Sequence, residues 1–128
     1  MLNPNAPSIH QKSQALCDLS QAVASYFSKQ NDVFKRKRTA ALRDDIANSI
    51  ATDALLLPAT LRKVQTSDSI RTLRHHVAFV NTITKNILSY CNGLEKDGIR
   101  EREYVGLLRK EIYSFRTYFK QWRSSFLE

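Results

Sequence analysis

Four arginines recur every seven residues near the end of the chain, at Arg102, Arg109, Arg116 and Arg123. On a straight helix a seven-residue step drifts by only about 20°, so the four guanidinium groups form one nearly axial row. Guanidinium is planar and always charged, and its fork of donors matches phosphate or carboxylate and stacks on aromatic rings. Tyr104, Tyr113 and Tyr118 in the same stretch can interleave with such stacking. A second run, Lys35-Arg36-Lys37-Arg38 with Arg43 just beyond it, places five cations within nine residues. Arg71, Arg74 and Lys85 supply a third, sparser set. The chemistry open to these groups is anion binding, above all to nucleic-acid phosphates, which are contacted without reading the bases. Other uses fit the same pattern. Arginines beside an apolar seam lay their stems over the core or pair with glutamates of a neighbouring helix, and they also line charged subunit interfaces. The run from Lys35 to Arg38 suits a phosphate-contacting edge and a solvated connector equally well.

Little else in the chain points to a reaction. His75 and His76 are adjacent, which on a helix sets them about 100° apart, so they do not chelate one metal from a single face. His10 stands alone. Cys17 and Cys91 have no CxxC or CxxH companion and read as small core residues. There is no ExxH pair of the kind that builds a di-iron bundle site. Gly93, Gly98 and Gly106 are isolated, so no glycine-rich phosphate loop exists. The expectation is a protein with no catalytic residues, no metal and no cofactor.

Charge agrees with the arginine pattern. Twenty Lys and Arg against twelve Asp and Glu give a formal net charge of +8, which suits RNA, DNA or a partner that itself handles nucleic acid. The longest aliphatic run, Ala54 to Leu57, stops at Pro58, far short of the roughly 20 residues a membrane span needs. The opening residues have neither the charged start nor the apolar stretch of a secretory signal. The expected compartment is the cytoplasm.

The elements that must position these groups follow from apolar spacing. With 128 residues, 42% of them hydrophobic and 25% charged, the chain is of single-domain size and ordinary globular composition. Residues 1–7, with Pro4 and Pro7, read as a flexible tail, and 8–128 as one domain. Ser8 caps a first helix to about Lys29, with Ile9, Leu16, Leu19, Val23, Tyr26 and Phe27 inward. A connector covers Gln30 to Arg38. Thr39 is expected to cap a second helix, lined by Leu42, Ile46, Ile50, Leu57 and Leu61, with Pro58 kinking or ending it. Ser67 or Thr66 is expected to cap a third helix along Ile70, Leu73, Val77, Val80, Thr84, Ile87 and Cys91. Gly93 is expected to close it, with a turn over Leu94 to Gly98. The fourth helix runs from about Arg100, with Val105, Leu108, Ile112, Phe115, Phe119, Trp122 and Phe126 as its seam. Segments of about 33 to 40 Å, at 1.5 Å per residue, joined by short connectors predict an all-α, antiparallel up-down-up-down four-helix bundle.

The basic stretch opening the second helix, the Leu73-Arg74-x-x-Val77-x-Phe79-Val80 segment and the Phe115…Phe119-x-x-Trp122 ending together resemble the accessory variability proteins of diversity-generating retroelements. Those are small basic four-helix bundles related to the bundle proteins encoded in intervening sequences of bacterial large-subunit rRNA genes. The resemblance spans Lys35 to Phe126 through spaced apolar positions and two basic residues. Where that family often carries glycines and a glutamate before the tryptophan, this chain has Ser114, Arg116, Lys120 and Gln121. The resemblance implies a homopentamer whose basic surface binds a reverse transcriptase and nucleic acid, with the arginines as a patch. The expected function is that of a non-enzymatic accessory protein binding RNA, DNA or a reverse transcriptase. The alternative is a helical protein-interaction or assembly module whose charge has no nucleic-acid role.

Overall fold

The structure, a computed structural model, describes residues 8–29, 37–96 and 102–127, with Lys29, 37–41 and 126–127 described as backbone only. The expected tail at 1–7 lies outside the described residues, as do Lys35 and Arg36. Four helices follow one another: α1 (Ile9–Lys29), α2 (Lys37–Gln65), α3 (Ile70–Lys96) and α4 (Arg102–Leu127). No strand occurs among the described residues.

The caps show why the helices start where they do. Ser8 Oγ accepts the Gln11 N–H at 3.1 Å while Gln11 Oε1 accepts the Ser8 N–H at 2.8 Å, a reciprocal box that satisfies two donors at the start of α1. At α3 the cap is Ser69, whose Oγ accepts the Thr72 N–H at 3.1 Å. The expected caps, Thr66 and Ser67, close α2 instead. The Thr66 N–H bonds the Arg62 carbonyl at 3.3 Å, and the Ser67 hydroxyl donates to the Lys63 carbonyl at 2.7 Å.

Helix α2 departs further from expectation. It begins at Lys37, ahead of Thr39, and it passes Pro58 to reach Gln65. Leu57, Thr60, Leu61 and Val64 around the proline are all buried, and their tertiary packing outweighs the lost donor. Its seam is Arg43, Ala47, Ile50, Ala54, Leu57, Leu61 and Val64, a strict alternation of four and three. Leu42 is one residue off that ladder and 52% exposed, while Arg43 holds the seam position at 9%.

In α3 the buried set runs from Val77 to Leu94. Gly93 does not end the helix, which continues to Lys96, and Leu94 is core, not turn. A Cβ built on Gly93 would stand 3.4 Å from Ile46 Cδ1, an ordinary van der Waals contact, so this position lies against α2. Ile70 overhangs the end of the bundle and is mostly exposed. In α4, Val105, Leu108, Ile112, Phe115 and Phe119 are enclosed. Phe119 stacks on Phe115 and tilts against half-buried Trp122, with centroids 5.8 Å apart in both pairs.

Contacts between sequence-distant residues establish the antiparallel order. The Ser28 hydroxyl donates to Asp44 and Gln21 Nε2 donates to the Ala51 carbonyl between α1 and α2. Tyr26 meets Tyr104, and Lys12 meets Ser114, between α1 and α4. Each helix neighbours two others in the ring α1–α2–α3–α4, and among the described residues the backbones of the diagonal pairs do not approach closely. Helix α2 approaches α1 and α3 closely along its length, whereas α4 makes fewer close approaches to either neighbour. Residue size accounts for this difference. Ala24, Ala47, Ala54 and Gly93 let backbones near one another, while Leu108, Phe115 and Phe119 hold α4 away.

Ile112 is fully enclosed in the middle of α4. Ile112→Asp buries an unpaired charge, and a loss of about 4 kcal/mol or more is expected, seen as unfolding or a large drop in Tm by circular dichroism. An unchanged melt would place this side chain in solvent.

Candidate functional site

The arginine row lies on the flank of α4 that faces α3, and α3 offers it different company at its two ends. Because the two helices are antiparallel, the start of α4 meets the end of α3. There Arg109 donates to Glu95 Oε1 at 2.7 Å and to Asn92 Oδ1 at 2.9 Å. The hydrogen bond from Arg109 holds the Glu95 carboxyl below the usual carboxylate range, with Arg102 adding to the effect. This part of the row is a helix-to-helix clasp. On the opposite flank Lys12 of α1 performs a similar service, reaching Glu111 at 3.5 Å and the Ser114 hydroxyl at 2.9 Å.

Farther along α4 the compensation stops. Arg116 and Arg123 run toward the start of α3, where Asn81 and Lys85 stand opposite them, and together with Tyr113 and Lys120 these residues line a groove of about 410 Å³. Thr117 contributes a hydroxyl, and the buried Phe119 lies beneath. No carboxylate among the described residues borders this groove. Among the described residues, Lys85, Arg116, Lys120 and Arg123 have no ion-pair partner. Four uncompensated cations in one recess create a focused positive potential. Tyr113, 55% exposed, adds an aromatic ring to the groove wall.

Arg71 and Arg74 are exposed at the start of α3, where they border a shallow depression with Thr72 and His75. Arg74 stands seven residues before Asn81 and Arg71 fourteen before Lys85, so both extend the groove's α3 flank. The structure thus gathers Arg71, Arg74, Arg116 and Arg123 on one side of the bundle. It leaves others elsewhere. Arg102 sits with Asn92, Glu95 and Lys96 at the opposite end. Lys37 and Arg38, whose backbone opens α2, belong to that same far end. Arg43 is buried in the α2 seam and engaged with a partner, so it is no part of an open basic edge.

Three groove residues, Asn81, Thr117 and Lys120, escaped the sequence reading. Lys120 lies four residues after Arg116 and three before Arg123, a spacing that places all three on one face. Asn81 carries no signal by itself and matters only because α3 sets it opposite α4. Elsewhere, the His75 and His76 rings diverge, 6.0 Å apart and inclined at 66°. His10 Nε2 is buried without a hydrogen-bond partner. Among the described residues no group of three His, Cys, Asp or Glu side chains is arranged to hold a metal ion, and no helix is long and apolar enough to cross a membrane.

Compared with protein-family models, curated proteins and solved structures, the chain matches none of them.

The clasp gives stability an acid limb. A carboxylate with a depressed folded pKa contributes fully above the ordinary glutamate value of about 4.3 and loses that contribution as pH falls through the folded value. Glu95→Gln should therefore melt below the parent at neutral pH, with the gap closing in strong acid, where the carboxylate is protonated in both states. Paired melts at the two pH values measure it, and a gap of equal size at both would exclude the carboxylate charge as its source.

Proposed function

We propose that this protein is a non-enzymatic nucleic-acid-binding protein, an accessory to a larger nucleic-acid-handling machine such as the reverse transcriptase that its family resemblance implies. The observation that carries the reading is the carboxylate-free groove between α3 and α4, in which Lys85, Arg116, Lys120 and Arg123 lack acidic partners. Cations held without carboxylates at their elbows repel one another and are relieved by an external polyanion. Arginine forks suit phosphate oxygens, and lysine supplies a point charge beside them. Arg71 and Arg74 lengthen the same positive flank, and the excess of twenty basic over twelve acidic residues draws polyanions in from a distance. Contacts of this type fix a strand in place without choosing its sequence.

A second reading, assembly through protein contacts alone, draws on a different face. Phe79 is 41% exposed beside Thr60 and Lys63 of α2, and Leu56, one turn before Thr60, is 39% exposed. An apolar patch on the α2–α3 side suits a protein neighbour, and the resemblance implies a ring of five copies.

Two measurements separate these readings. If each groove cation neutralises one phosphate, log K should fall against log salt with a slope of at least about −2.8 for single strands or −3.6 for duplex DNA. Replacing Arg116 and Lys120 together with Gln should flatten that slope by about 1.4 to 1.8 without unfolding the chain, because neither side chain holds another helix. Failure of the parent to bind any RNA or DNA at low salt would discard the nucleic-acid reading. For the assembly reading, light scattering at micromolar concentration should report a multiple of 14.7 kDa. A monomer mass would end it, and a ring of another size would end only the number five.

A further inference from the structure

We infer that the α3–α4 groove takes a single strand of RNA or DNA, with phosphates along Lys85, Arg116, Lys120 and Arg123 and a base against the ring of Tyr113. The inference rests on the nucleic-acid reading above and adds to it which form of nucleic acid is held.

Shape is the first argument. Arg116 and Arg123 are half-buried in the recess, and Phe119 beneath them is 1% exposed. Lys85 and Lys120 stand out at the rim. A duplex stays straight over about 150 base pairs, so it meets the rim lysines and not the recessed arginines. A single strand bends freely and follows a groove between two helices. From Tyr113 to Arg123 the groove runs for about 15 Å at 1.5 Å per residue, which accommodates a short strand segment lying along α4.

The second argument is the aromatic ring. Tyr113, Arg116, Lys120 and Arg123 follow one another at spacings of three, four and three along one face of α4, with Thr117 beside Arg116, so ring and cations share the groove wall. Tyr113 is among the exposed large side chains of the bundle, whereas Phe115, two residues on and across the helix, is wholly enclosed. An exposed ring flanked by uncompensated cations is the combination that holds single strands, because every base has a π-face and every linkage a charge. In a duplex the bases are already stacked on each other and have no face to give. Asn81 and Thr117 complete the lining with an amide and a hydroxyl able to bond sugar or base-edge atoms. An acidic peptide offers charges to the cations but nothing to the ring.

The test uses the full chain and fluorescence anisotropy with labelled oligothymidylate, labelled oligouridylate and a duplex of the same length, at low and at moderate salt. Both single strands should bind more tightly than the duplex. Tyr113→Ala should weaken single-strand binding about fivefold to a hundredfold while leaving duplex binding, the salt slope and the Tm as in the parent, and Tyr113→Phe should restore it. Equal binding of strand and duplex, or a Tyr113→Ala variant that binds single strands like the parent, overturns the inference and leaves the charge-based reading standing. Displacement of the strand by polyglutamate as readily as by unlabelled oligothymidylate overturns it too, marking the groove as a general polyanion surface. Absence of binding to every probe at low salt overturns both the inference and the reading beneath it.

Discussion

Side-chain bulk on the inner face of α4 is the constraint from which the arrangement follows. Leu108, Ile112, Phe115 and Phe119 fill the space that α4 encloses, and interiors packed at crystal-like density leave no slack for such groups to be drawn closer. The alanines of α2 and Gly93 of α3 make the opposite choice, allowing backbones to approach. The bundle is therefore asymmetric. One side is a tight three-helix packing around α2, and the other is a helix standing off on its own aromatic layer. A groove along α4 is the geometric remainder of that asymmetry, and whatever polar residues border it inherit a recess instead of a flat surface.

Electrostatics then divides the groove unequally. Along one row of identical arginines, Arg109 is bound to Glu95 and Asn92, while Arg116 and Arg123 face Asn81 and Lys85. An exposed ion pair contributes little net stability, so the clasp matters chiefly for register, fixing how α4 slides against α3. That register in turn decides which arginines are left without carboxylates. The structural half of the row and the open half are one device, in which the first positions the second.

The helices were legible because their seams repeat at three and four residues over long stretches, with few glycines or prolines to confuse the period. The misreadings have equally specific causes. Leu42 and Arg43 are adjacent, and hydrophobicity favours the leucine, yet the ladder through Ala47, Ile50 and Ala54 continues onto the arginine, whose hydrocarbon stem fills the place. Gly93 is a common helix terminator, but α3 runs straight through it, and a Cβ there would stand at ordinary contact distance from Ile46. Thr66, Ser67 and Ser69 all have capping chemistry, and only the helix ends decide which serves which terminus. The candidate site was half legible. A seven-residue row of arginines is visible in one helix, but Arg109 and Arg116 are indistinguishable until α3 is set opposite them.

The two enclosed cysteines carry a consequence for how the basic surface behaves. Cys17 and Cys91 are the chain's only cysteines, and both are buried. Positive charge close to a thiol favours its thiolate. Here Arg109 does pull on Cys91, but burial prevails and pushes the thiol up to about 11. Burial likewise raises Cys17. Attack on a disulfide or a peroxide needs thiolate and access, and the folded chain supplies neither. The basic groove is therefore uncoupled from oxidants at the two cysteines, and its charge is the same under oxidising as under reducing conditions.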